Sequence, residues 1–221
     1  LKKINANVNS ENVVFCPTSI YLPYFLKNNY KIGIQNIYSK NSGAYTGEVS
    51  PSQAASLGIH YALIGHSERR LYFKEDDILI KDKVLEAIKN NLKVILCIGE
   101  TLEEKNLLKT TKVLKRQIVN VIRELDREML DNLIIAYEPV WAIGSGLIPT
   151  NDDIEKISEY IKMVVNDTKG YLDIDVLYGG SVNEKNIDEL NKLKNISGFL
   201  IGGASNDPEK IIDIINKTID K

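Results

Sequence analysis

Short, almost continuously apolar runs alternate along this chain with longer amphipathic stretches, at a repeat of about 30 residues. That alternation limits the fold more than any other property. The apolar runs fall at residues 13–16, 31–35, 61–65, 93–98, 133–137, 175–178 and 199–201. Apolar residues at nearly every position, rather than at every second one, indicate strands covered on both faces, as in a parallel sheet flanked by helices. Helical periodicity predicts helices over 77–90, 105–125, 152–165 and 208–219, with Asn151 or Asp152 as cap of the third. Seven such βα units suit either an open doubly wound sheet or an eight-stranded barrel short of one strand. A doubly wound nucleotide binder would carry a glycine-rich fingerprint after its first strand. Cys16-Pro17-Thr18-Ser19 has none, which favours the barrel.

Nothing divides the chain into parts, so its 221 residues are expected to form a single domain. The formal net charge of −2 argues against a nucleic-acid partner or an anionic membrane. Lys112, Lys115 and Arg116 stand among Glu103, Glu104, Glu124, Asp126 and Glu128, and read as the solvated face of a helix. Cys16 and Cys97 both sit in apolar strand runs, and neither has metal or redox spacing. They are expected to be buried, reduced thiols of a cytoplasmic protein. No apolar run approaches the roughly 20 residues that a membrane helix needs.

Three groups of residues carry chemistry. Glu138 directly follows the run 133–137 and opens the segment Glu138-Pro139-Val140-Trp141-Ala142-Ile143-Gly144-Ser145-Gly146. A carboxylate at the C-terminal end of a barrel strand, beside a glycine-bounded apolar loop able to exclude water, is a candidate general base. His66 follows the run 61–65 and so stands at the equivalent end of its own strand, facing the same mouth. The glycine pairs Gly179-Gly180 and Gly202-Gly203 end the last two runs, where backbone N–H groups can cradle a phosphate.

These segments resemble the triosephosphate isomerase family, in family order and over essentially the whole chain. The matching runs are Ile64-Gly65-His66-Ser67-Glu68-Arg69-Arg70, Ile95-Leu96-Cys97-Ile98-Gly99-Glu100-Thr101, 136–146, Tyr178-Gly179-Gly180-Ser181 and Ile201-Gly202-Gly203-Ala204-Ser205. The resemblance implies a (β/α)8 TIM barrel that interconverts dihydroxyacetone phosphate and D-glyceraldehyde 3-phosphate without a cofactor or metal. Glu138 would shuttle the proton and neutral His66 would donate to the enediolate oxygen. The backbones of Gly144, Ser181, Gly202 and Gly203 would hold the phosphate. Ser67 would position Glu138 between turnovers, Glu68 would be a carboxylate behind the histidine, Cys97 would pack beneath Glu138, and Glu100 would be structural. The stretch 43–51 resembles the family's third loop, which plugs into a neighbouring subunit, with Tyr72-Phe73 as part of the receiving pocket. That implies a homodimer in which Thr46 reaches the partner's site.

Two departures accompany the likeness. The family's first strand bears an asparagine and a lysine that contact substrate, and no such strand precedes Leu1. The expectation is therefore a barrel with its first strand and most of its first helix absent from this chain, and little activity from the 221 residues alone. The rival reading is a truncated, non-catalytic relative kept for interaction. The second departure is Leu147-Ile148-Pro149, where the family commonly has Lys-Thr-Ala. Relatives with that alanine offer a backbone N–H to the tyrosine matching Tyr178. Proline has none to offer.

Overall fold

The computed structural model describes residues 12–28, 30–143 and 147–218. Seven strands form one sheet: β1 (Val14–Phe15), β2 (Lys31–Ile34), β3 (Tyr61–Ile64), β4 (Lys93–Ile98), β5 (Leu133–Tyr137), β6 (Asp175–Tyr178) and β7 (Gly198–Phe199). Each strand pairs in parallel with the next in the chain, so the strand order follows the sequence throughout. A doubly wound sheet reverses its strand order at a switch point. Strictly sequential order is instead that of a (β/α) barrel, which decides between the two architectures left open by the apolar pattern.

The connections carry α1 (Leu22–Phe25), α2 (Pro51–Ser56), α3 (Ser67–Tyr72), α4 (Asp77–Lys89), α5 (Leu102–Asn106), α6 (Thr110–Ile122), α7 (Asn151–Lys169), α8 (Ile187–Leu190) and α9 (Pro208–Thr218). The helix expected over 105–125 is in fact two. Leu108 takes a left-handed φ of 55° and is 91% exposed, so it breaks the helix between α5 and α6. The cap of α7 is Thr150, one residue before the expected pair: its Oγ1 accepts from Asp153 N at 3.1 Å, and the Asp153 carboxylate takes Thr150 N–H in return. Strand β7 begins one residue early, yet Leu200 N–H still donates to Tyr178 O at 3.0 Å, so pairing runs on past it.

Two separate apolar clusters show how the pleat divides each strand. Leu63, Ile95, Cys97 and Ala136, with Cys16, Ile134, Leu177 and Leu200 against them, form the smaller interior cluster. Ala62, Ile64, Val94, Leu96, Ile98, Ile135, Tyr137, Val176 and Tyr178 belong to the larger one, shared with helices such as α4, α6 and α7. Alternate residues thus face the barrel axis and the helix layer. On α6, Lys112, Lys115 and Arg116 are exposed while Val113, Leu114, Gln117, Ile118, Val121 and Ile122 are buried, as a solvated-face reading requires.

Candidate active site

Glu138 extends the inward-facing series Ile134, Ala136 by one more alternation, so strand β5 itself aims the carboxylate into the barrel mouth. Its peptide is fixed by Glu138 N donating to Ile98 O at 2.7 Å. The same alternation would put His66 on the helix side with Ala62 and Ile64. Gly65 prevents this: its left-handed φ of 79° interrupts the strand and turns the next residue inward. A side chain at position 65 would also lie 3.0 Å from Cys97 O. His66 then caps α3, its Nδ1 accepting from Glu68 N at 3.3 Å.

The two sequence-predicted residues meet. His66 Nε2 lies 3.1 Å from Glu138 Oε1, and Ser67 N donates to Glu138 Oε2 at 3.0 Å. An Nδ1 that accepts from a backbone N–H leaves Nε2, the nitrogen facing Glu138, as the ring's donor. Glu138 is 2% exposed, and burial raises its carboxyl pKa above the ordinary value. The neighbouring His66, the Ser67 N–H and the Arg70 guanidinium oppose that rise, while Glu68 adds to it. Cys97 is fully buried in the interior cluster, and burial followed by the Glu138 charge pushes its thiol well above its usual range. Glu68 contributes its backbone N–H to His66, with its carboxylate exposed and 3.9 Å from Nδ1.

Several residues that support this pair, Glu100 apart, had no role assigned from sequence. Arg70 donates from Nε to Gly65 O at 2.9 Å, from Nη2 to Cys97 O at 3.2 Å and from Nη1 to Asp77 at 2.7 Å, tying the ends of β3 and β4 to α4. Gln117 clamps the Gly99 peptide from both sides, accepting from Gly99 N at 2.9 Å and donating to Gly99 O at 3.2 Å. A signal for Gln117 existed: it is the polar residue in the apolar stripe Val113, Gln117, Val121 of α6. Gly99 leaves room for the end of β5, since an added Cβ would stand only 1.7 Å from Glu138 O. Glu100 is 1% exposed and accepts from Trp141 Nε1 at 2.7 Å and from Tyr137 Oη at 3.2 Å. Burial raises its pKa; the bonds from Trp141 and Tyr137 and the charge of Lys105 hold it down.

The glycine-rich strand ends divide by purpose. A Cβ on Gly179 would meet Glu138 Cγ at 3.0 Å, and one on Gly180 would meet Tyr178 Oη at 2.1 Å, so this pair makes room for the site's own side chains. Around Gly202 and Gly203 nothing lies within 4 Å of an added Cβ, and both residues are exposed, which leaves their backbone open to a ligand. Ser181 sits between the two, its Oγ donating to Ala142 O at 2.8 Å. Tyr178 is fully buried and its hydroxyl has no hydrogen-bond partner among the described residues; burial pushes its pKa up to about 12. Gly144 lies outside the described residues. Thr46 stands exposed on the loop 43–48, where Tyr45 packs on Tyr38 with ring centroids 4.5 Å apart.

Comparison with known proteins gives a consistent result. The family model described as triosephosphate isomerase matches residues 1–218. A protein named triosephosphate isomerase from Clostridium botulinum (strain Langeland) is 44% identical over 212 residues, spanning 93% of this chain and 86% of its own length. One of the same name from Thermodesulfovibrio yellowstonii is 40% identical over 218 residues, 96% of this chain and 88% of its own. A third, from Coprinopsis cinerea, is 42% identical over 222 residues, 98% and 88% respectively.

Proposed function

Because the chain belongs to the triosephosphate isomerase family, we propose that this strand-end site interconverts dihydroxyacetone phosphate and D-glyceraldehyde 3-phosphate through an enediolate. Glu138 takes a proton from the carbon next to the carbonyl, and the electron pair moves onto the carbonyl oxygen. His66 Nε2–H donates to that oxygen. The hydroxyl proton on the first carbon's oxygen then passes to the former carbonyl oxygen, and Glu138 returns its proton to the former carbonyl carbon as the first carbon's oxygen becomes the new carbonyl. A carboxylate whose pKa burial has raised is a stronger base than one in water. A neutral imidazole donates without first losing a charge to the medium, and its donor is already oriented by the Glu68 N–H on the opposite nitrogen. The observation that carries this reading is the meeting of Glu138, His66 and Ser67 at the C-terminal ends of β5 and β3.

In this arrangement Glu138 rests against Ser67 N–H and faces the same Nε2 that must serve the substrate oxygen. To act, the carboxylate leaves Ser67 and frees the His66 donor for substrate. The substrate phosphate is held by the open backbone at Gly202 and Gly203 and by Ser181, with Gly144 as a further donor by family likeness. Proton transfers of this kind require neither cofactor nor metal.

Exposed Tyr45, Leu71, Tyr72 and Phe73, the last three in a row, favour a homodimer in which these apolar side chains are covered. Two free thiols, Cys16 and Cys97, agree with a cytoplasmic setting. Among the described residues no helix is long and apolar enough to cross a membrane. The decisive experiment replaces Glu138 by glutamine, keeping size while removing basicity. Isomerisation should fall by about 10² or more with affinity for a phosphate ligand retained. Turnover at the original rate would overturn the assignment.

A further inference from the structure

Glu138 cannot leave Ser67 without disturbing the residues that follow it. Pro139 restricts the backbone, and Val140–Ala142 form a single 3-10 turn closed by Ala142 N donating to Pro139 O at 2.7 Å. This short segment is fastened from the side of β4 and α5. Val140 N donates to Glu100 O at 3.2 Å, and Trp141 Nε1 donates to the Glu100 carboxylate at 2.7 Å. Over the face of the indole, Lys105 Nζ stands 3.1 Å from the ring centroid. The indole is thus held at its edge by an anion and over its face by a cation, both supplied by the connection after β4.

We infer that Lys105 is a positioning residue for the general base: its ammonium, seated on Trp141, holds Pro139–Ala142 in place and so keeps Glu138 against Ser67 until substrate draws it away. This rests on the functional reading above. An ammonium over an indole face is attracted by the negative face of the ring, and the attraction grows as water is excluded. Lys105 and Trp141 are both half-buried, so the contact is partly shielded. The same charge sits near Glu100, favouring the ionised carboxylate that accepts from Trp141 and Tyr137. Lys105 therefore acts on Trp141 twice, directly through the ring and indirectly through the acceptor at its edge.

Trp141 is the only tryptophan of the chain, so a fluorine label on it reports this segment alone. The full-length protein is prepared with 5-fluorotryptophan, as wild type and as Lys105→Met and Lys105→Arg, and each is checked for cooperative unfolding. Fluorine NMR reads the exchange rate of the segment, and glycerol 3-phosphate, which bears a phosphate but no carbonyl, reads affinity without turnover. In Lys105→Met the exchange rate should rise about two- to thirtyfold, the range expected from losing a cation over an indole. Glycerol 3-phosphate affinity should rise, and KM fall, by a factor of that size, with kcat within about twofold, because only the resting state has been destabilised. Lys105→Arg should restore the wild-type values. The proposal is overturned if Lys105→Met leaves exchange and affinity unchanged, or if Lys105→Arg behaves like Lys105→Met. A wild-type protein that fails to isomerise would instead refute the functional reading, while the fluorine and glycerol 3-phosphate measurements would still judge the clamp.

Discussion

Gly99→Ala tests whether the close approach of two strand ends places the base. The alanine Cβ would lie 1.7 Å from Glu138 O and 2.7 Å from Glu138 C, so the two backbones have to separate by about 1.3 Å to reach the closest contact that real Cβ atoms show. Neither side yields freely. The Gly99 peptide is bonded at both its N–H and its C=O by Gln117, and Glu138 N is bonded to Ile98 O at 2.7 Å. Overpacking of this kind costs about 2 kcal/mol, or roughly 4–8 °C of Tm for a domain of this size. A displacement near 1 Å at the reacting group costs on the order of 10² in rate. Thermal melts and steady-state isomerisation should therefore show a lower Tm together with a kcat reduced about 10²-fold, and a KM that moves much less, because the proposed phosphate loops follow β6 and β7. Gly179→Ala is the control. Its Cβ meets Glu138 Cγ at 3.0 Å, on a side chain able to shift, and Tyr137 O and Leu200 Cβ at ordinary contact distances of 3.4 and 3.5 Å, so it should lose roughly tenfold or less. A Gly99→Ala protein with kcat within about twofold of wild type and an unchanged Tm would refute the claim that this contact positions the base.

Tyr178→Phe should leave Tm unchanged or raise it slightly, because the buried hydroxyl it removes has no partner among the described residues; a loss above about 1 kcal/mol in denaturant titration would show that the hydroxyl is bonded in solution. Glu138→Gln should stabilise the protein relative to wild type by an amount that grows with pH. Burial raises the folded-state pKa, so the native carboxyl binds its proton more tightly than the unfolded one, and wild-type stability falls as pH rises from the ordinary carboxylate value through the folded one. A Tm difference independent of pH would contradict this. Thr46→Glu should yield monomers of low activity if the exposed loop 43–48 is covered by a second copy, and sedimentation showing the unaltered full-length protein monomeric at micromolar concentration would end that reading.

The strands were legible where burial on both faces leaves no ambiguity of period. Residues 93–98, 133–137 and 175–178 were bounded correctly from composition alone. Glu138 followed from the same logic, one alternation beyond Ala136. His66 did not: strand alternation puts it on the wrong side, and only the left-handed step at Gly65 brings it to Glu138, so its motif and not its periodicity revealed it. Leu107 and Leu108 misled because apolar residues at helical spacing look like a buried stripe, whereas both are exposed. Gln117 left only the faint signal of a polar residue in an apolar stripe, with no hint of its target, and Arg70 and Lys105 left none, for a common reason. Each acts on a group far away in sequence, through a carbonyl, a peptide or a ring whose position only the assembled barrel defines.

That dependence on assembly bears on how a 2% exposed carboxylate is tolerated at all. Burying an unpaired charge is costly, and Glu138 is relieved by the Ser67 N–H, the His66 imidazole and the Arg70 guanidinium. All three come from the single stretch 66–70 at the end of β3, and Arg70 is in turn anchored on β4 and α4. The contacts that make the resting carboxylate tolerable are therefore on one side of it, and the approach of substrate from the mouth does not have to dismantle them all. On the proposed mechanism the Ser67 bond is the one that breaks as Glu138 turns toward substrate. The His66 donor would then stay in place to serve the oxygen, because the bond fixing its orientation, from Glu68 N to Nδ1, is on the nitrogen facing away from Glu138. One short segment thus stabilises the buried carboxylate at rest and, on that mechanism, provides the donor that acts when the carboxylate moves.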